Sequence, residues 1–310
     1  GITAPLIIPN NLPAASALSQ ENIITIPYAR AIGQDIRPLR ILVVNLMPTK
    51  VATETQLARV LANSPLQVEL TLLHMDSHVS KNTDNAHLES FYRSLPEVKD
   101  NRFDGMIVTG APVESLDYKD VDYWSELEEI FEYAKENVFS CFHICWGAQA
   151  HLYYKHGIRK STLENKLFGV FQHDVIEPYN ELVRGFDEIF YAPHSRHTTI
   201  EENELTKLEN FKILAKSNEA GVHLACDNNM RCIYMFGHQE YDRETLGLEY
   251  NRDISKGLQI DVPKNYYLND DPTNKVLFRW RSHASLLFNN WLNFVYQETP
   301  YYLSELKPND

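Results

Sequence analysis

Three residues in this chain have the types and spacing for covalent chemistry: Cys145, His238 and Glu240. Cys145 closes the apolar, strand-like run 140–144, and a helix-like segment, 146–154, comes directly after it. A cysteine on so sharp a strand-to-helix turn has its sulfur pushed out of the sheet, with neighbouring backbone N–H groups aimed at the space before it. The partial positive charge of the helix N-terminus favours a thiolate there. Gly147 and Ala148 leave room for a substrate to approach. His238 and Glu240 come after the strand-like run 231–234. Two positions apart on a strand end, their side chains point the same way. The carboxylate can then accept from one ring nitrogen and leave the other to take a thiol proton. The three compose a candidate Cys–His–Glu triad.

Other polar clusters surround this set. Residues 109–114 come after a strand and include Gly110 and Pro112; such a loop offers a backbone N–H to an oxyanion, or is an ordinary turn. Residues 193–198, Pro-His-Ser-Arg-His-Thr, read as a binding loop after a strand, and 78–83 read either as a binding loop or as a helix entry. Glu249 and Arg252 share one helix face, a spacing that fits a surface ion pair or an amino-acid clamp, Glu for the ammonium and Arg for the carboxylate. His74 and His78 have metal-ligand spacing, but Met75 stands where a zinc protease carries its Glu and no third ligand is evident, so no metal is expected. The four cysteines are too few and scattered for a disulfide framework, and Cys226 and Cys232 read as residues flanking a hairpin turn.

The elements that must position these groups alternate. Strands are expected at 39–47, 66–73, 103–110 and 138–144, with helices at 53–62, 121–134 and from 146 onward. Continuous apolar runs fit strands buried on both faces of a parallel sheet, and the alternation gives an α/β, doubly wound sheet. Ligands in such sheets bind at the strands' carboxyl ends, where Asn45, Gly110 and Cys145 fall. Shorter strands at 168–175, 188–192, 211–216, 221–225 and 231–236 predict a mixed, more antiparallel continuation, with helices at 243–254 and 274–296.

The chain has 310 residues, 44% hydrophobic and 23% charged, so it can bury a sizeable core. The expected organisation is an N-terminal arm over 1–37, with several prolines and little periodicity, laid on one α/β domain spanning 38–310. A net charge of −13 argues against nucleic acid or an anionic membrane as partner. No run approaches a membrane span, and the first residues make a poor signal peptide. A reactive thiol suits a reducing, cytoplasmic setting. A homodimer is compatible with the sequence, which does not fix oligomeric state.

Five motifs, in order, resemble one family: 45–50 (Asn-Leu-Met-Pro-Thr-Lys), 109–114 (Thr-Gly-Ala-Pro-Val-Glu), 143–150 (His-Ile-Cys-Trp-Gly-Ala-Gln-Ala), 193–198 and 280–283 (Trp-Arg-Ser-His). They are similar to the homoserine O-acyltransferase (transsuccinylase/transacetylase) family. The resemblance implies a fold like that of class I glutamine amidotransferases and a Cys–His–Glu acyl-enzyme mechanism with an acyl-CoA donor. Carried over by position, Cys145 matches the nucleophile, His238 the general base and Glu240 the residue that orients it. Lys166, Ser195 and Arg252 match substrate-binding positions, and Glu249 matches a contact to the acceptor's amino group. Glu114 matches the position that is Glu in users of acetyl-CoA and Gly in users of succinyl-CoA. The function implied is acetyl transfer from acetyl-CoA to the hydroxyl of L-homoserine in methionine biosynthesis, with no bound cofactor. Gln239, His151 and Thr199 depart from the family's usual Pro, Gly and Glu, and the last two put the acceptor in question. L-serine is one methylene shorter, a difference worth only about 1–3 kcal/mol in a pocket. Serine O-acetylation, homoserine O-succinylation and glutamine-amidotransferase-like hydrolysis are the alternatives, and a binding protein without activity is the non-enzymatic one.

Overall fold

The computed structural model describes residues 37–78 and 85–310, with residues 6–7, 16, 19–20 and 25–26 before them. Most of the expected arm and residues 79–83 of the expected loop lie outside the described residues. Two short strands, β1 (Leu6–Ile7) and β2 (Thr25–Ile26), pair in parallel.

The first half alternates as its apolar runs require. β3 (Leu39–Val44), α1 (Lys50–Ala62) and β4 (Val68–Leu73) lead into α2 (Asn85–Phe91), β5 (Tyr92–Arg93) and α3 (Leu95–Val98). Then come β6 (Phe103–Val108), α4 (Trp124–Asn137), β7 (Val138–Ile144) and α5 (Trp146–His156). The second half is β8 (Ser161–Val175), β9 (Ile189–Thr199), α6 (Glu202–Thr206), β10 (Phe211–Ser217), β11 (Gly221–Asp227), β12 (Cys232–Met235), α7 (Thr245–Ser255) and α8 (Arg281–Glu298).

Ten strands form one sheet in the order β5-β4-β3-β6-β7-β12-β11-β10-β8-β9. From β5 to β12 every pairing is parallel, and from β12 to β9 every pairing is antiparallel. Alternating residues of β3 feed two cores. Leu39, Ile41 and Val43 pack with Leu57 and Leu61 of α1 and with Leu287, Phe288 and Trp291 of α8. Leu42 and Val44 pack on the other face with Leu127, Ile130 and Phe131 of α4. Helices on both faces of a mixed sheet are the doubly wound arrangement expected. No helix among the described residues is long and apolar enough to cross a membrane.

Three differences from expectation have local causes. The first strand stops at Val44 rather than 47 because Asn45 turns the chain: its Oδ1 accepts from Met47 N at 3.2 Å and its Nδ2 donates to Tyr92 OH at 2.8 Å. The last helix begins at Arg281, not 274, because the preceding amides bond elsewhere: Leu277 N donates to Tyr266 O at 2.8 Å. The polar run 193–198 is no loop; it is the second half of β9, paired along β8. β9 is the sheet's outer strand, where Pro193 can sit without breaking a central ladder. Cys226 and Cys232 do flank the β11–β12 turn, and both are free thiols.

Packing over the site leaves no slack at Gly105 of β6. A Cβ there would lie 2.8 Å from the Trp291 ring and 2.9 Å from Ile41 Cδ1, both in fully buried side chains. Gly105→Ala is expected to destabilise the protein by about 1–3 kcal/mol through overpacking, read as a lower urea midpoint at unchanged m-value.

Candidate active site

Three neighbouring parallel strands, β6, β7 and β12, end side by side, and the site is built from the turns at their carboxyl ends. Cys145 comes directly after β7 in a left-handed conformation (φ 51°, ψ −113°), and its N–H donates to Met235 O, the last residue of β12, at 2.7 Å. Its carbonyl accepts from Gln149 N at 3.1 Å, starting α5. The helix lies so close to β6 that a Cβ on Gly147 would come within 2.7 Å of Thr109 O. Gly110 closes the third side: a Cβ there would sit 3.4 Å from His238 Cε1 and 3.5 Å from Cys145 Cβ. Cys145 and the imidazole therefore both border the space that the absent side chain of Gly110 leaves open.

His238 and Glu240 do not lie on the strand end as expected. β12 stops at Met235, and the pair sits on the next turn, closed by Tyr241 N donating to His238 O at 3.1 Å. Both are buried, and His238 Nδ1 lies 2.8 Å from Glu240 Oε1. A carboxylate only accepts, so that nitrogen carries a proton and Nε2 is left for Cys145. Burial works against a charged ring, but Cys145 and then Glu240 outweigh it and hold His238 well above the usual histidine range. The ring stacks on Tyr241 at 4.2 Å between centroids, and its backbone N–H donates to Pro193 O at 2.7 Å. Gln239 turns the other way, its Oε1 accepting from His223 Nε2 at 2.8 Å.

The expected substrate-binding residues form a second cluster, reached through Tyr241. Its hydroxyl donates to Glu249 Oε1 at 2.8 Å, and Ser195 Oγ donates to Glu249 Oε2 at 2.7 Å. Lys166 Nζ lies 3.8 Å from Asp253 Oδ2, and Arg252 Nε donates to Asp253 Oδ1 at 3.1 Å. Arg252 thus bonds the carboxylate next to it in sequence rather than Glu249, and its side chain is 57% exposed. Asp253, which gathers both cations, had no sequence signal beyond its position beside Arg252.

Glu114 reaches β9. Its Oε2 accepts from His197 N at 2.9 Å, Thr198 N at 3.0 Å and Thr198 Oγ1 at 2.7 Å. Of the departures from the family pattern, His151 lies on the buried face of the nucleophile helix: its Nδ1 is 2.7 Å from Tyr234 OH, and it stacks on His143. Thr199 ends β9 opposite Ser161. A cluster the sequence did not reveal is His173, His194 and His223, buried together from three separate strands. His74 and His78 instead approach Asp76 and Asp122.

The homoserine O-succinyltransferase family model matches residues 5–301. A homoserine O-acetyltransferase of Clostridium novyi is 56% identical over 298 residues, 96% of this chain and 99% of that one. Those of Acetivibrio thermocellus and Bacillus mycoides are each 53% identical, over 98% and 96% of this chain and the whole of theirs. Among solved structures, a glutamine amidotransferase of Thermotoga maritima superposes with TM-score 0.56 at 12% identity, covering 84% of this chain and 99% of its own. One from Methylobacillus flagellatus gives 0.52 at 11%, covering 89% and 98%. At such identities the likeness shows the fold, a mixed α/β sheet of the glutamine amidotransferase kind.

Cys145 occupies a backbone region that costs a side-chain-bearing residue about 1–3 kcal/mol. Cys145→Gly is therefore expected to unfold at a higher temperature than Cys145→Ala, by a free energy of about that size. Equal midpoints would show that the turn is unstrained.

Proposed function

The chain belongs to the homoserine O-succinyltransferase family, and from that premise we propose that it moves an acetyl group from acetyl-CoA to the side-chain hydroxyl of L-homoserine by way of a thioester on Cys145. The observation that carries the mechanism is the contact of three loops: Cys145, the His238–Glu240 pair and the backbone at Gly110.

Cys145 gives its proton to His238 Nε2 and attacks the thioester carbonyl. The oxyanion of the tetrahedral adduct is met by the N–H groups of Gly110 and Trp146, the latter at the first position of α5. CoA leaves as its thiol with the proton from His238. The hydroxyl of homoserine then attacks the acetyl-cysteine, His238 takes its proton, and the thiolate departs. Glu240 orients the ring and offsets its positive charge throughout. Glu249, with Ser195 and Tyr241, is suited to the acceptor's ammonium, and Lys166 and Arg252 to its carboxylate.

Glu114 favours acetyl over succinyl as the donor group, a reading supported by the names of the relatives and by its tether on β9. A succinyl carboxylate near it would meet a like charge, and two such charges about 4 Å apart at an effective dielectric of about 20 repel by about 4 kcal/mol. The triad comes from the parallel half of the sheet and Ser195 from the antiparallel half, which supports reading 38–310 as one domain.

Exposure to acetyl-CoA without acceptor is expected to leave one acetyl group on the protein by intact-mass analysis, discharged by homoserine faster than by serine. An adduct that persists in Cys145→Ala would remove the nucleophile assignment. His238→Ala should lose about 10²–10⁴ in turnover, and Glu240→Ala somewhat less; a fully active Glu240→Ala would reduce the triad to a dyad. Glu114→Gly should raise the succinyl-to-acetyl ratio of kcat/KM by at least about tenfold. A ratio that does not move would place Glu114 outside donor selection.

A further inference from the structure

The most deeply buried cation among the described residues has no carboxylate bonded to it. Arg196, on β9, is 1% exposed. Its Nη1 donates to Thr198 O at 2.9 Å, its Nη2 to Ala220 O at 2.7 Å and its Nε to His194 Nδ1 at 3.4 Å. All three acceptors are neutral. Burial, then the charges of Arg196 and its neighbours, keep His194 well below the usual histidine range, and burial keeps His173 and His223 low as well. This trio is no cation site, because a guanidinium abuts it and both nitrogens of His223 are committed, to Gly237 N and Gln239 Oε1.

A buried charge without an ion partner is expensive to keep. The acidic groups that bear on this one are Cys145 first and Glu114 second. Thr198 locks the guanidinium to both. Its carbonyl accepts from Arg196 Nη1 and from Gln149 Nε2 (3.3 Å), and its Oγ1 donates to Glu114 Oε2 at 2.7 Å, with Gln149 Oε1 as the alternative acceptor at 2.9 Å. Gln149 belongs to the first turns of the nucleophile helix and donates to Cys145 O.

We propose that Arg196 is a positioning residue for the acyl transfer described above: a fixed buried positive charge that favours the thiolate form of Cys145, with Glu114 as the counter-charge that limits it. His238, from the turn after β12, and Arg196, from β9, bear on Cys145 as positive charges that favour the thiolate. Tyr241, from that same turn, bears on it as an acid that does not. The carboxylates against these groups are Glu240 on His238, Glu249 of α7 on Tyr241, and Glu114 of the loop after β6 on Arg196 by way of Thr198, and a negative charge at each opposes the thiolate. The inference rests on Cys145 being the nucleophile.

The test is the pH dependence of iodoacetamide alkylation at Cys145 in the free enzyme, with Cys145→Ala as the blank for the other three thiols. Removing a nearby positive charge raises the pH at which a thiolate forms, and removing a negative one lowers it. Arg196→Gln is expected to move the midpoint up by about one pH unit, about tenfold slower alkylation below both midpoints. Arg196→Lys should restore most of it. Glu114→Gln should move the midpoint down, and this arm stands if Arg196→Gln does not fold. A folded Arg196→Gln with the wild-type midpoint, or a Glu114→Gln midpoint that stays or rises, overturns the proposal. The readout needs no acyl donor. Unmoved midpoints with a normal acetyl adduct would sink this inference alone, and absent adduct with the expected shifts would sink the acyl-transfer reading alone.

Discussion

The hydrogen bond from Cys145 N to Met235 O is the constraint on which the site depends. It is the last rung between two parallel strands that end together, and it fixes where the turn beyond each of them begins. Parallel strands bring their carboxyl ends to one edge of the sheet, so residues 90 and more positions apart in sequence leave that edge side by side. One turn carries the thiol and the other the imidazole. Shifting the β7–β12 register by one residue would send both side chains to opposite faces. The rigidity of the central sheet, with Phe142 stacked on Phe288 and Trp291 bonded through Nε1 to Ser140 Oγ, thereby becomes the precision of the site.

The molecule buries several imidazoles, and these stay neutral or find a partner. The histidines at 143, 151, 173, 194 and 223 are all held below their ordinary range, with burial the leading cause. His238 goes the other way, because two acidic groups face it. Among these buried imidazoles, His238 is set apart by the carboxylate bonded to its Nδ1, which favours the charged ring.

Much of this was legible in the residues. The parallel strands announced themselves as apolar runs because both faces are covered, and the elbow at Cys145 is written in its apolar-to-small sequence. The resemblance pointed to Lys166, Ser195, Glu249 and Arg252, and the structure places them in two groups on α7: Ser195 on Glu249, and Lys166 and Arg252 on Asp253. The part that stayed hidden depends on pairing across distance. The polar run 193–198 looks like a loop because its residues are polar, while the apolar partners that hold it in the sheet, Leu167 to Val170 of β8, lie in a separate stretch of sequence. The histidine trio comes from three strands whose adjacency no local pattern encodes. His151 gave the opposite lesson: a departure from a family pattern beside the nucleophile proves to be core packing against Phe131 and Tyr234.

The β8–β9 hairpin breaks register between Thr162 and Leu167: Arg196 pairs with Leu167 and Thr198 with Thr162, and His197 between them has no partner in the ladder. Glu114 receives the consecutive amides of His197 and Thr198 at this break. The same carboxylate that we propose selects the acyl donor therefore also closes a seam in the outermost strand pair. A lineage cannot exchange the residue at 114 for its pocket alone. The hairpin must find another acceptor, or open its edge to pairing with a neighbouring chain. On the proposed reading, donor preference and closure of the outer strand pair meet in one side chain, so a change of donor at this position calls for a new acceptor for these amides.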